Sequence, residues 1–189
     1  MARPKSEDKR RAILDAAARI FAERGVSESP TSAISKAAGV AEGTLFTYFK
    51  SKEELMNALY LDFRREYVER IADFPRKGSV RSQLRYLWDE FLAIGTENPA
   101  RLRVQTRLRA SGKLFRENET PIPAILEMMK TIRKAAGSAN LRSVEPEYVV
   151  LLMRSMAEAT IEYIAAHPES KKECWEAGFL VFWKGLSGK

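Results

Sequence analysis

Ser29–Leu55, SPTSAISKAAGVAEGTLFTYFKSKEEL, decides the reading of this chain. Ser29 before Pro30 reads as a helix start, a side-chain cap followed by a proline whose missing N–H is not needed at the first position. A short helix then places Ile34 and Ala38 on one face, four residues apart. Gly39 stops it, because glycine enters the left-handed region at a helix C-terminus without a side-chain clash. A second helix begins near Glu42 and carries Leu45 and Phe49 inward. Its outward side holds Glu42, Gly43, Thr44, Phe46, Thr47 and Tyr48. Small residues at Ala37, Ala38 and Ala41 let the two helices cross closely, as a helix-turn-helix requires. Such a pair reads DNA when the second helix enters the major groove N-terminus first. The same spacing also suits a helical hairpin packed on another protein.

The flanks extend the pattern. RAILDAAARIFAERG, Arg11–Gly25, is an amphipathic helix with Ile13, Ala17, Ile20 and Phe21 on one side, opened by Ser6 as cap and closed by Gly25. It braces the pair. Ser51 and Glu54 form a capping box that opens a longer helix with Leu55, Leu59, Phe63, Tyr67 and Ile71 four apart. Lys52 lies on its first turn, where the helix body leaves the helix-turn-helix.

From Arg11 to Leu55 the chain resembles the TetR family of bacterial repressors, on RAILDAAARIFAERG followed by ISKAAGVAEGTLFTYFKSKEEL. The AGV turn, the GTL-aromatic-x-YF run and SKEEL stand in the family's order and spacing. The resemblance implies that Thr31, Thr44, Tyr48 and Lys52 grip phosphates, and that Ser32, Glu42, Gly43 and Phe46 face or flank bases. Phe46 replaces the usual tyrosine, which favours a thymine-methyl contact over a hydroxyl one. Pro30 replaces a common threonine or serine and removes a phosphate donor.

Composition bounds the alternatives. The 189 residues are 45% hydrophobic and 30% charged, a globular composition. No apolar run approaches the roughly eighteen residues of a membrane span, and the basic start leads into an amphipathic helix, so the chain reads as a mature cytoplasmic protein. A single cysteine, Cys174, excludes an internal disulfide and argues against a thiolate zinc site, and the single histidine, His167, has no partner motif. No cofactor or catalytic residue is implied, and an enzyme is not expected. The net charge of +7 suits a polyanion. Lys5, Lys9, Arg10 and Arg11 form a basic arm at the front. A second excess, from Arg64 to Arg116 through Arg76, Lys77, Arg81, Arg101, Arg103, Arg107 and Arg109, reads as a solvated surface or as a hold for an anionic effector.

Downstream, every segment reads as helix. Pro75–Ser79 is a loop with Ser79 as the next cap, before a helix of Leu84, Leu87, Trp88, Phe91 and Leu92. Residues 102–109 alternate like a strand, yet Val104, Leu108, Ser111 and Phe115 also share a helical face and no partner strand exists, so helix is expected. A break at Thr120–Pro123, a short helix Ile125–Ala136 and a loop over 137–142 follow. Ser143 and Pro146 open a helix that ends at His167, and a Ser170–Glu173 capping box opens the last one.

The expected fold is all-α, about nine helices by periodicity. Residues 1–52 form the helix-turn-helix domain and 53–189 a helical domain for effector binding and dimerisation. The last two helices, through Ile161, Ile164, Trp175, Phe179, Phe182 and Trp183, are the candidate homodimer face, with ordinary core as the competing reading. Trp88, Phe91, Phe115, Met128, Met153 and Met156 are the candidate effector pocket, because aromatic and methionine side chains line adaptable apolar sites. A homodimer with two recognition helices would match a palindromic double-stranded DNA operator, and the resemblance to TetR proteins implies repression relieved by an unknown small-molecule effector. The alternative is a DNA-binding protein without such a ligand, architectural or controlled by a partner.

Overall fold

The computed structural model describes residues 6–75, 77–115, 118, 122–135 and 143–187. Lys5, Arg76, Arg116, Thr120, Ala136 and the expected loop over 137–142 lie outside them. Among the described residues the chain is all-α, with nine helices: α1 (Glu7–Arg24), α2 (Thr31–Ala37), α3 (Glu42–Tyr48), α4 (Lys52–Arg70), α5 (Val80–Glu97), α6 (Pro99–Ala110), α7 (Pro123–Ala135), α8 (Pro146–Ala166) and α9 (Lys171–Ser187). The alternating segment 102–109 is helical, as part of α6. A 3-10 turn, Pro168–Ser170, leads into α9.

The chain folds as two compact units. The first takes Met1–Arg64 and Ala100–Thr120, the second Arg65–Pro99 and Pro121–Lys189. In the first unit one apolar cluster joins Ile13, Ala17, Ile20 and Phe21 of α1 to Ile34, Leu45 and Phe49, to Leu55, Leu59 and Phe63 of α4, and to Val104, Leu108 and Leu114. Each large side chain buried there contributes roughly 1.5–3 kcal/mol. The helix-turn-helix is therefore seated on a core that α6 helps to build. In the second unit α8 packs against α5, α7 and α9, and Trp88 stacks on Phe182 with ring centroids 6.2 Å apart.

Several helix ends follow local chemistry, and others depart from it, among them the start of α8, where Glu145 and not Ser143 is the cap residue. Gly39, at φ +68°, closes α2 in a Schellman motif: Val40 N–H reaches Ser35 O at 3.0 Å and Gly39 N–H reaches Lys36 O at 3.2 Å. Ser79 caps α5 by accepting from Ser82 N–H at 3.1 Å. Ser51 accepts from Glu54 N–H at 3.1 Å, while Glu54 reaches back one residue further than a standard box, to Lys50 N–H at 2.8 Å. Ser29, however, does not cap α2. Pro30 is the cap residue, and the buried Ser29 hydroxyl turns back to the carbonyls of Gly25 and Ile20 at the end of α1. Ser6 occupies the cap position of α1 without a side-chain cap bond. Phe115 is not on a helical face with Leu108, since α6 stops at Ala110, Gly112 follows at φ +65°, and Phe115 stands exposed.

Candidate nucleic-acid interface

The exposed side of α3 is built by what its other side buries. Leu45 is inaccessible to solvent and Phe49 nearly so, which fixes the rotation of this short helix and turns Glu42, Gly43, Phe46 and Thr47 outward. Ser32 of α2 is exposed beside them, and Thr31, Thr44, Tyr48 and Lys52 are half-buried at the margins. The eight residues expected to touch DNA all belong to the first compact unit.

Hydrogen bonds tie this surface together. The Thr31 hydroxyl donates to Glu42 Oε1 at 2.8 Å, linking the first turns of α2 and α3. The Tyr48 hydroxyl accepts from Ser6 N–H at 2.8 Å, which satisfies one orphan donor at the start of α1 from α3. The Thr47 hydroxyl returns to Gly43 O at 2.9 Å. Lys52 Nζ donates to Ser27 O at 3.3 Å and lies 6.0 Å from the centroid of the Phe21 ring. Burial, then the neighbouring Lys113, lowers the Lys52 pKa, and Glu53 partly opposes that. The Glu53 carboxyl is held below its ordinary range by a backbone hydrogen bond at the start of α4, by Ser51 and by the Lys113 and Lys52 cations, against a partial cost of burial. No local signal pointed to Lys113, because chain folding and not sequence proximity brings it there.

The expected effector residues divide. Trp88 and Met153 are buried in the second unit, Trp88 between Phe179 and Phe182 with its indole N–H on Trp175 O at 3.2 Å. Phe91 packs edge-on against Tyr67 at 5.4 Å, and Met156 is half-buried. Met128 lines an open cleft of about 270 Å3 with Phe74, Gln83, Ala124, Glu127 and Thr131. Phe115 belongs to the first unit. Of the expected dimer residues, Ile161, Ile164, Phe179 and Phe182 are buried within the protomer, while Trp175 and Trp183 are half-buried. The apolar surface of α8 and α9 comes instead from Tyr148, Leu151, Tyr163, Leu180 and Val181. Tyrosine and valine positions outside the strongest apolar stripe were the available signal, and it was weak.

Among the described residues, no group of three or more His, Cys, Asp or Glu could hold a metal ion, and no helix is long and apolar enough to cross a membrane.

Residues 13–59 match the family model of bacterial regulatory proteins of the tetR family. The fatty acid metabolism regulator protein of Bacillus subtilis is 33% identical over 108 residues, which is 56% of this chain and 55%, about half, of that protein. Among solved structures, a TetR family transcription regulator from Marinobacter aquaeolei VT8 superposes with a TM-score of 0.73 at 23% identity, covering 96% of each chain. The regulator FadR of Bacillus subtilis, solved with stearoyl-CoA, superposes with a TM-score of 0.69 at 21% identity over 95% of this chain and 98% of its own.

Proposed function

Because the chain belongs to the TetR family of bacterial regulatory proteins, we propose that it is a sequence-specific transcriptional repressor working in the cytoplasm. It binds a palindromic DNA operator as a homodimer and leaves it when a small effector binds. The observation that carries this reading is the exposed face of α3, with Glu42, Gly43 and Phe46 turned outward and Thr31, Tyr48 and Lys52 at its margins. A helix so presented offers its first turn to base edges and its end to the backbone. Phosphate contacts set affinity and register, and base contacts set sequence.

Two-fold symmetry supplies the matched half-sites, through the apolar surface of α8 and α9. For the effector, the fatty acid regulator and the stearoyl-CoA complex among the similar proteins support a fatty-acyl compound. It would act by binding the operator-incompetent conformation more tightly than the competent one, and only that difference lowers operator affinity.

Selection of bound duplexes from a random pool tests the reading. A palindromic motif is expected, and acyl-CoA thioesters of graded chain length, added to that operator complex, are expected to release it. A motif without two-fold symmetry would remove the dimeric reader, and release indifferent to the acyl chain would remove the effector class.

A further inference from the structure

Lys113 lies outside the 13–59 segment that matches the family model, just beyond the Gly112 turn that follows α6. A buried amide fixes its backbone. Asn57 of α4 is 2% exposed, and its Nδ2 donates to Lys113 O at 3.2 Å and to Glu53 O at 2.8 Å. Its Oδ1 accepts from Phe115 N–H at 2.7 Å and from Asn118 Nδ2 at 2.9 Å. Both donors and the acceptor of Asn57 are used, so the segment is fastened to the first turns of α4 by a fully satisfied buried group.

The consequence is electrostatic. Lys113 Nζ stands 3.8 Å from Glu53 Oε1, and the side chains are 56% and 46% exposed. An exposed pair at that distance holds its partners weakly. Lys113 is also close enough to Lys52 to lower its pKa, and the Glu53 carboxylate interacts with both ammonium groups. The start of α4, on which Lys52 and Glu53 stand, adds its own positive end.

We propose that Lys113 is a DNA-phosphate ligand, which with Lys52 forms a two-cation grip on the operator backbone supplied in part from outside the helix-turn-helix. Glu53 serves as the stand-in anion of the free protein. The proposal rests on the DNA-binding reading. Each phosphate neutralised by a cation steepens the dependence of log K on log salt by about 0.9. The salt slope of Lys113→Gln is therefore expected to be shallower by about 0.9 per protomer, with affinity lowered alike on every sequence. Lys113→Arg is expected to restore the slope. Glu53→Gln, which removes the competing carboxylate, is expected to tighten binding.

The test is a salt titration of binding to two probes, a duplex enriched from the random pool and a mixed-sequence duplex. Arg103→Gln removes the same charge from an exposed position of α6, and its slope is expected to match the unmodified protein. An unchanged slope in Lys113→Gln overturns the grip while leaving DNA binding intact. Equal losses in Lys113→Gln and Arg103→Gln also overturn it, since net charge alone would then account for both. An unmodified protein that binds neither duplex overturns the DNA-binding reading and the grip together.

Discussion

Glu42 and Phe46 lie one helical turn apart on the open side of α3, and they ask different things of a base edge. The Glu42 side chain accepts a hydrogen bond from the Thr31 hydroxyl in the free protein. If Thr31 turns to a phosphate, the carboxylate is left to find a donor in the groove, and the cytosine N4 amino group is the donor a carboxylate reads. Phe46, 41% exposed, presents only carbon and suits a thymine methyl. Glu42→Gln is expected to move the preference at one position of each half-site from cytosine toward adenine, a shift of about 1–3 kcal/mol in discrimination, read from the selected motif. A motif unchanged at every position would take Glu42 out of base reading. The outward set on α3 was legible from the inward Leu45 and Phe49, since a helix has only so many faces. The Thr31–Glu42 bond was not, because it joins two helices whose crossing no local pattern specifies. Ser29 went astray for a related reason. Its hydroxyl had a choice between the amides of α2 and the carbonyls of α1, and the buried position beside Gly25 decided it.

Single helices were read well from period and caps, because Gly39, Ser51 and Ser79 act through neighbours within a few residues. Packing between helices was not. Val104 and Leu108 share a core with α1, a pairing that nothing in their own segment announces. Gly178 makes the same point more sharply. It stands inside α9 as if it were any helical position, yet a Cβ there would lie 2.7 Å from Trp88 Cζ2 and 2.9 Å from the Thr160 hydroxyl. The glycine is what allows α9 to approach the indole. Trp88 is fully buried and cannot swing aside, so Gly178→Ala is expected to destabilise the protein by about 1–3 kcal/mol despite the better helix propensity of alanine. Denaturant unfolding measures this, and an alanine variant as stable as the parent would mean that α5 and α9 can separate without cost.

At the scale of the whole molecule, the question is which apolar residues of α8 and α9 serve the protomer and which would serve the proposed dimer. Sequence could not divide them. α9 is apolar almost all round, through Phe179, Leu180, Val181, Phe182 and Trp183, so every rotation of the helix buries something hydrophobic. Stacking decides it within one chain: Phe179 and Phe182 close over Trp88, and the rotation that achieves this leaves Val181 62% exposed with Leu180 beside it. The two kinds of residue then answer substitution differently. Phe182→Ala opens a cavity against Trp88 and is expected to cost about 3–5 kcal/mol of protomer stability. Val181→Asp touches little within the protomer, so its circular dichroism and the stability of its monomer should be preserved. Brought against a second copy, however, the aspartate would be an unpaired charge in an apolar contact, which is costly enough to favour separation. Sedimentation is expected to find Val181→Asp monomeric at concentrations where the parent is dimeric. Operator affinity should fall with it, since a lone protomer reads one half-site. A Val181→Asp protein that still sediments as a dimer would place the two-fold contact away from this surface. A palindromic motif from the selected duplexes would then need another pair of helices to account for it.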